Sequence, residues 1–391
     1  MAGMLNRRSK LAIALLCGAA FLSPALADPQ SATGQSATPE QAIALEQQGK
    51  LAEAESAWRI VIRHNPKDAG AFASLGVLLS RQQKYPEAAT AYRKALALNP
   101  SLPGIPLNLG LAEFKQGKFQ AAIPPLKAAL KDNPESAQVA ILLGFSYYGA
   151  KQFSEAVKYL QPAAAADAGN TELHQSLAES CLWSKDYTCA SAEFQKILRQ
   201  NPNSAAAHVL MGEALDGLHQ PQEAINEFQA ALKVAPNDPN IHFGLGYLYW
   251  KSHQYDDARR EFQNELAIDP KSAQSLTYLG DIEMKNDHPD AAIAFLQKAV
   301  QLSSNLRLAY IDLGAMLTEQ KKYKEAIAAL RHAEELDPSQ PDAHYRLGRV
   351  YQAMGNAEES KKEFAKIREL HEKADQDALA PKMSPSPASN P

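Results

Sequence analysis

The chain has 391 residues, 45% of them hydrophobic and 21% charged, with a formal charge of −4. This is globular composition, and an acidic balance of this kind lacks the basic footprint that nucleic-acid binding requires. Length alone would suggest two or three compact domains, an estimate that the internal periodicity replaces with one elongated unit.

Residues 1–27 read as a secretory leader. Arg7, Arg8 and Lys10 form a basic start, Leu11 to Leu22 is a mostly apolar run, and Ala25-Leu26-Ala27 supplies a small-x-small cleavage pattern before Asp28. A run of that length rises about 18 Å as a helix, short of the ~30 Å hydrocarbon core. Cleavage after Ala27 is therefore expected, which leaves no membrane span and a periplasmic or secreted product. The alternatives are an uncleaved anchor and a lipid-modified Cys17, although Leu16 is larger than the residue that lipid attachment favours before its cysteine. Losing the three leader cations leaves 37 basic against 44 acidic side chains. In an oxidising compartment Cys181 and Cys189 become a candidate pair. Bridging needs Cα atoms within about 7 Å, and the two side chains are expected on different faces, so the pairing stays open. No Cys/His zinc spacing occurs.

Residues 28–38 are small and polar, a flexible lead-in. From about residue 35 to 374 the chain repeats itself. Pro66, Pro100, Pro134, Pro202, Pro236, Pro270 and Pro338 share one 34-residue grid. A second grid holds Ala42, Gly76, Gly110, Gly144, Ala178, Gly212, Gly246, Gly280, Gly314 and Gly348. A third holds alanine at 54, 88, 122, 156, 190, 224, 258, 292 and 326, with Ser360 last. Glycine inside a helix costs about 0.5–1 kcal/mol relative to alanine, so its recurrence implies close approach of two helices. Each unit reads as helix A, a short turn, helix B and a proline-marked turn. In repeat 2 these are Ala69 to Gln82 and Tyr85 to Leu98.

Units with Leu75-Gly76, Ala88, Tyr92, Ala95 and Pro100, or Leu245-Gly246, Tyr249, Ala258, Phe262 and Pro270, resemble tetratricopeptide (TPR) repeats. The resemblance spans about ten units. It implies an all-α, right-handed superhelical solenoid of tandem antiparallel helix pairs that binds other proteins.

Two stretches depart from the pattern. Pro124 and Pro125 fall inside helix B of repeat 3 and Pro162 inside helix B of repeat 4, so kinks are expected over 118–170. Prolines 86, 221 and 289 fall in the first turn of a helix, where they are harmless. The polar last helix, with Phe364 and Ile367 on its inner face, caps the array, and 375–391 reads as a disordered Pro/Ser/Ala-rich tail.

No catalytic motif or cofactor fingerprint appears, and no cofactor is expected; the chain does not read as an enzyme. His174, His208, His242 and His344 occupy one repeat position. They read as half-buried packing residues rather than a metal ladder, because neighbouring helices lie about 8–10 Å apart and zinc needs ligands converging at about 2 Å. The partner face is expected on the inner side of helix A. Leu107, Leu111, Phe114, Ile141, Phe145 and Tyr148 come from repeats 3 and 4, Glu179 and Trp183 from repeat 5, and Glu213 and Asp216 from repeat 6. Repeat 7 contributes Phe243, Tyr247 and Trp250, and repeat 8 Asp281. Large rings beside acids suit a protein or peptide carrying basic and apolar residues. Chaperone-type members of the family hold acidic carboxy termini with Lys, Asn and Arg; the corresponding places here are apolar, aromatic or acidic. A second reading makes the chain a subunit of a cell-envelope secretion, pilus or polysaccharide-export assembly, contacting partners through its edges. Nothing in the sequence fixes an oligomeric state.

Overall fold

The computed structural model describes residues 37–379; the leader, most of the lead-in and the end of the tail lie outside the described residues. Within them the chain forms ten consecutive helix pairs and no strand. Repeats 1–3 are α1 (Pro39–Gln47) and α2 (Leu51–His64), α3 (Ala69–Arg81) and α4 (Tyr85–Leu98), α5 (Ile105–Lys115) and α6 (Phe119–Asp132). Repeats 4–6 are α7 (Ala137–Gly149) and α8 (Phe153–Ala166), α9 (Thr171–Trp183) and α10 (Tyr187–Gln200), α11 (Ala205–Gly217) and α12 (Pro221–Val234). Repeats 7 and 8 are α13 (Ile241–Lys251) and α14 (Tyr255–Ile268), α15 (Ala273–Lys285) and α16 (Pro289–Leu302). Repeats 9 and 10 are α17 (Arg307–Glu319) and α18 (Tyr323–Leu336), α19 (Pro341–Ala353) and α20 (Ala357–Leu379). Helix α20 continues past residue 374, so part of the expected tail is helical.

The glycine grid marks the A–B crossings. At each glycine from Gly76 to Gly348 the side chain sixteen residues on lies directly over the backbone: Tyr92, Leu126, Leu160, Phe228, Phe262, Leu296, Leu330 and Phe364 in turn. A methyl group on Gly76 would stand 2.5 Å from the Tyr92 ring, and one on Gly110 2.5 Å from Leu126 Cγ. The alanines of the third grid are buried opposite.

A regularity of the A–B turn accompanies the glycine grid. Gly49, Gln83, Gly117, Lys151, Lys185, His219, His253, Asp287, Lys321 and Gly355 all have φ between 58° and 80°. Each closes helix A with a left-handed residue. In repeat 2, Lys84 N–H donates to the Leu79 carbonyl at 2.9 Å and Gln83 N–H to that of Ser80 at 3.0 Å, satisfying carbonyls the helix end would leave bare.

Repeats 3 and 4 carry the prolines at which kinks are expected. Helices α6 and α8 run unbroken through Pro124, Pro125 and Pro162. The carbonyls those prolines leave without a donor belong to Gln120, Ala121 and Lys158, all exposed residues, where solvent can replace the missing N–H. Prolines 86, 221 and 289 lie at the first or second helical position, as expected. Cys181 of α9 and Cys189 of α10 are bridged, with Cα atoms 5.7 Å apart. The bridge ties the two helices of repeat 5 across their turn.

Candidate functional site

Helix A of each repeat packs closely on helix A of the next along most of the chain, whereas successive B helices meet through side-chain ion pairs such as Arg59–Glu87 and Arg331–Glu363. The A helices therefore form the crowded, inner side of the solenoid. Crowding is greatest in repeats 8–10, where α17 lies between α15 and α19. There Ile311, Asp312, Leu313, Ala315, Met316 and Leu317 are all buried.

In repeats 3–5 the expected inner-face residues stay accessible. Leu111 is 39% exposed and Trp183 38%. Phe114, Phe145 and Tyr148 are half-buried, with Leu107 and Ile141 beside them in sequence register. Phe114 packs edge-on against Phe119, and Trp183 leans on Phe153 at 6.5 Å. Tyr148 Oη donates to Glu179 at 2.5 Å, so burial and the facing carboxylate together push the phenol well above its ordinary range. Gln175 adds a second donor to Glu179 at 3.0 Å.

Repeats 6–8 are built differently. Phe243 is 5% exposed and sits between Phe262 and Tyr278, a core residue rather than a groove residue. Tyr247 and Trp250 are half-buried and pack around Tyr278, whose ring lies 4.9 Å from that of Trp250 and 5.7 Å from that of Tyr247. Burial, and secondarily the neighbouring Tyr247, raise the Tyr278 phenol to about 12. Rings at these separations already cover one another. Tyr278 escaped the sequence reading because its equivalent in repeat 7 is Gly244, over which Phe228 lies; small and large alternate at one position.

Most of the acids expected to choose a ligand are already satisfied. Asp281 is buried, accepting from Trp250 Nε1 at 2.5 Å and from Lys285 Nζ at 2.5 Å. Asp216 pairs with Lys251 at 2.6 Å and Glu179 holds Tyr148. Glu213 alone makes no hydrogen bond or ion pair within the described residues; burial, reinforced by Asp216, raises its carboxyl above the usual range. Asp312, also absent from the sequence reading, is 5% exposed with a buried oxygen that has no partner among the described residues. Burial first, then Asp281, raise it to about 7 against the opposing Arg346 and Lys285.

The four equivalent histidines are accounted for by packing. His174, His208, His242 and His344 each place Nδ1 at 2.5–2.7 Å from a carboxylate nineteen residues on: Glu193, Glu227, Glu261 and Glu363. Where repeat 8 has Leu276 instead of histidine it has Phe295 instead of glutamate. That paired change within one chain was the available signal.

Four repeat-family models match the chain: a TPR repeat at 220–252 and 314–355, and tetratricopeptide repeats at 40–103 and 243–306, at 79–144, 113–180 and 147–214, and at 341–370. The chain belongs to the tetratricopeptide repeat proteins. No curated protein matches this TPR chain by sequence. Among solved structures it is similar to MamA at 26% identity and a TM-score of 0.39, over 42% of this chain and 97% of that one. It is similar to YrrB, described as a TPR protein with an unusual peptide-binding site, at 23% identity and a TM-score of 0.39, over 49% and 98%. The APC/C hetero-tetramer Cut9–Hcn1 gives 19% identity and a TM-score of 0.47, over 78% and 60%.

Proposed function

We propose that this TPR protein is an exported scaffold that binds a segment of another protein along its inner face, chiefly over repeats 3–5. One observation carries the reading: large apolar and aromatic side chains stay accessible on one face through three successive repeats, whereas α17 of repeat 9 is buried from Ile311 to Leu317. A continuous apolar strip with polar flanks is what an interaction surface requires. Rigid rings such as Trp183 lose little rotamer freedom when covered and bury much area, which makes them anchors. Scaffolding is the general property of the family.

Export is supported by the basic, apolar and small-residue order of residues 1–27 and by a disulfide that suits an oxidising compartment. The preference for a basic, partly apolar partner rests now on Glu213, because the other acids have internal partners.

The test is partner crosslinking in intact cells with the native chain, a groove pair Phe145→Ala and Trp183→Ala, and an outer pair Lys233→Ala and Lys298→Ala. Groove changes should cut capture about tenfold or more if these rings are hot spots, and outer changes should not. The second reading, contact through edges within an envelope assembly, draws on Val234 and Leu302, exposed at equivalent ends of helix B. Loss of capture with the outer pair and not the groove pair would favour it.

A further inference from the structure

A cleft of about 270 Å3 opens on the inner face between repeats 2 and 3, upstream of the surface expected from sequence. Its apolar floor is Val77, Leu111 and Ala112; Arg81, Lys115 and Asn108 stand around it. Arg81 and Lys115 are equivalent residues one repeat apart, at the ends of α3 and α5. Their backbones thus lie about a helix-packing distance apart, roughly 8–10 Å, and their side chains can converge on one anion.

The charge around this cleft has one sign. Among the described residues no acid lines it. Glu46 reaches Arg81 from repeat 1 at 3.4 Å, but it also accepts from Trp58 Nε1 at 2.7 Å, and Arg81 is highly exposed, so that pair holds Arg81 weakly. Lys115 has no ion pair and the Asn108 amide no hydrogen bond within the described residues, whereas the Ser80 and Tyr92 hydroxyls bond each other at 3.1 Å. Two cations and an amide thus stand with spare donors over an apolar floor.

The floor also continues in both directions. Val77 and Leu111 occupy one repeat position whose neighbours are Ile43, 46% exposed, and Phe145. An extended chain can run past the cleft on both sides, so an anion held here belongs to a side chain within a segment rather than to a free terminus.

We propose that this cleft receives an acidic residue beside a large apolar one in the bound protein segment. The apolar side chain covers Val77, Leu111 and Ala112, and the carboxylate lies between Arg81 and Lys115 with the Asn108 amide donating to it. This rests on the groove reading and adds to it an anionic subsite upstream of Glu213, which gives the ligand a fixed direction. Charge-assisted hydrogen bonds to both cations are the strong kind, and their partial exposure makes them sensitive to salt.

The test uses the chain from residue 28 onward and a displayed library of random twelve-residue peptides. Selected peptides are remade with amidated carboxy termini and measured by fluorescence anisotropy. Binders should carry Asp or Glu next to Leu, Ile, Phe or Trp. Exchanging that acid for its amide, or Lys115→Glu, should weaken binding about tenfold, and a peptide with lysine in place of the acid should recover affinity for Arg81→Glu/Lys115→Glu. Binders that lack an acid, ignore Lys115→Glu, or require a free carboxy terminus would overturn the subsite. If those binders still lose affinity with Phe145→Ala, the groove reading survives alone; indifference to Phe145→Ala and Trp183→Ala removes the groove as well. A selection that yields no binder counts against both.

Discussion

Replacing Gly314 by alanine tests whether the glycine grid exists for close packing. In an ordinary helix interior the change is favourable by about 0.5–1 kcal/mol, because glycine loses more backbone freedom on folding. Here the added Cβ would stand 2.5 Å from Leu330 Cγ and 2.6 Å from Cδ2. Comfortable carbon contacts are about 3.5–4.0 Å, so something must move by about 1 Å. Leu330 is wholly buried, and Cγ is its branch point rather than a flexible end. Overpacking of that kind costs about 1–3 kcal/mol, so a net loss of about 1–2 kcal/mol is expected. Repeat arrays often unfold in stages, so the measurement is amide exchange over 307–336 alongside urea unfolding. Gly169→Ala is the control: its Cβ meets nothing nearer than an Asp167 oxygen at 3.8 Å. Gly314→Ala combined with Leu330→Ala should cost less than the two changes separately, since the new methyl partly fills the space vacated. A stabilising Gly314→Ala would refute the packing argument.

The turn grid predicts the opposite sign for a neighbouring change: Lys321 has φ 58°, so Lys321→Gly should raise stability by about 0.5–1 kcal/mol in urea unfolding. Asp312 titrates near 7 when folded against an ordinary 3.8, so its contribution is complete below about pH 3.8 and is lost as pH rises through 7. Asp312→Asn should therefore stabilise the chain at pH 8 relative to the native protein, by at most about 4 kcal/mol, and much less at pH 4.5; equal effects at both would contradict the burial argument. Reducing the Cys181–Cys189 bridge should cost about 2–3 kcal/mol, read as a lower thermal midpoint, with the intact protein resisting alkylation until reduced. Amino-terminal sequencing of the exported protein should begin at Asp28; an intact Met1 or a lipid-modified Cys17 would refute the leader assignment.

What the sequence made legible was whatever repeats with identity. Proline, glycine and alanine recur because the backbone conformation or the helix crossing tolerates few substitutes, so ten units could be phased from one chain. The turn grid was hidden because a left-handed residue is cheap enough for Gln, Lys, His or Asp to occupy, and only three of its ten positions are glycine. The site was legible only as a face. Repeat positions locate the inner surface, but they do not say which side chains cover one another on it. Phe262 and Tyr278 enclose Phe243, and Trp250 and Lys285 hold Asp281, whereas Leu111 and Trp183 stay accessible. Helices α6 and α8 continue through Pro124, Pro125 and Pro162, whose cost depends on whether the bare carbonyls face water, which periodicity alone does not reveal.

The pairing of the acids changes what the groove can recognise. A ligand cation approaching Asp281 must displace Lys285 and share the carboxylate with Trp250. One approaching Asp216 must displace Lys251. Each exchange trades one ion pair for another and gains little, as partly exposed pairs do. Lys285 also lies 5.6 Å from the Trp250 ring centre, so an outside cation would compete there too. Glu213 is different because its raised carboxyl reflects burial and a like charge with nothing opposing within the described residues; a cation placed there removes an existing penalty. Tyr247, Trp250 and Tyr278 pack against one another across repeats 7 and 8, which leaves less of each ring for a ligand to cover. Under the proposed groove reading, affinity would come from surfaces without internal partners: the apolar strip of repeats 3–5, with the proposed cleft upstream and Glu213 downstream.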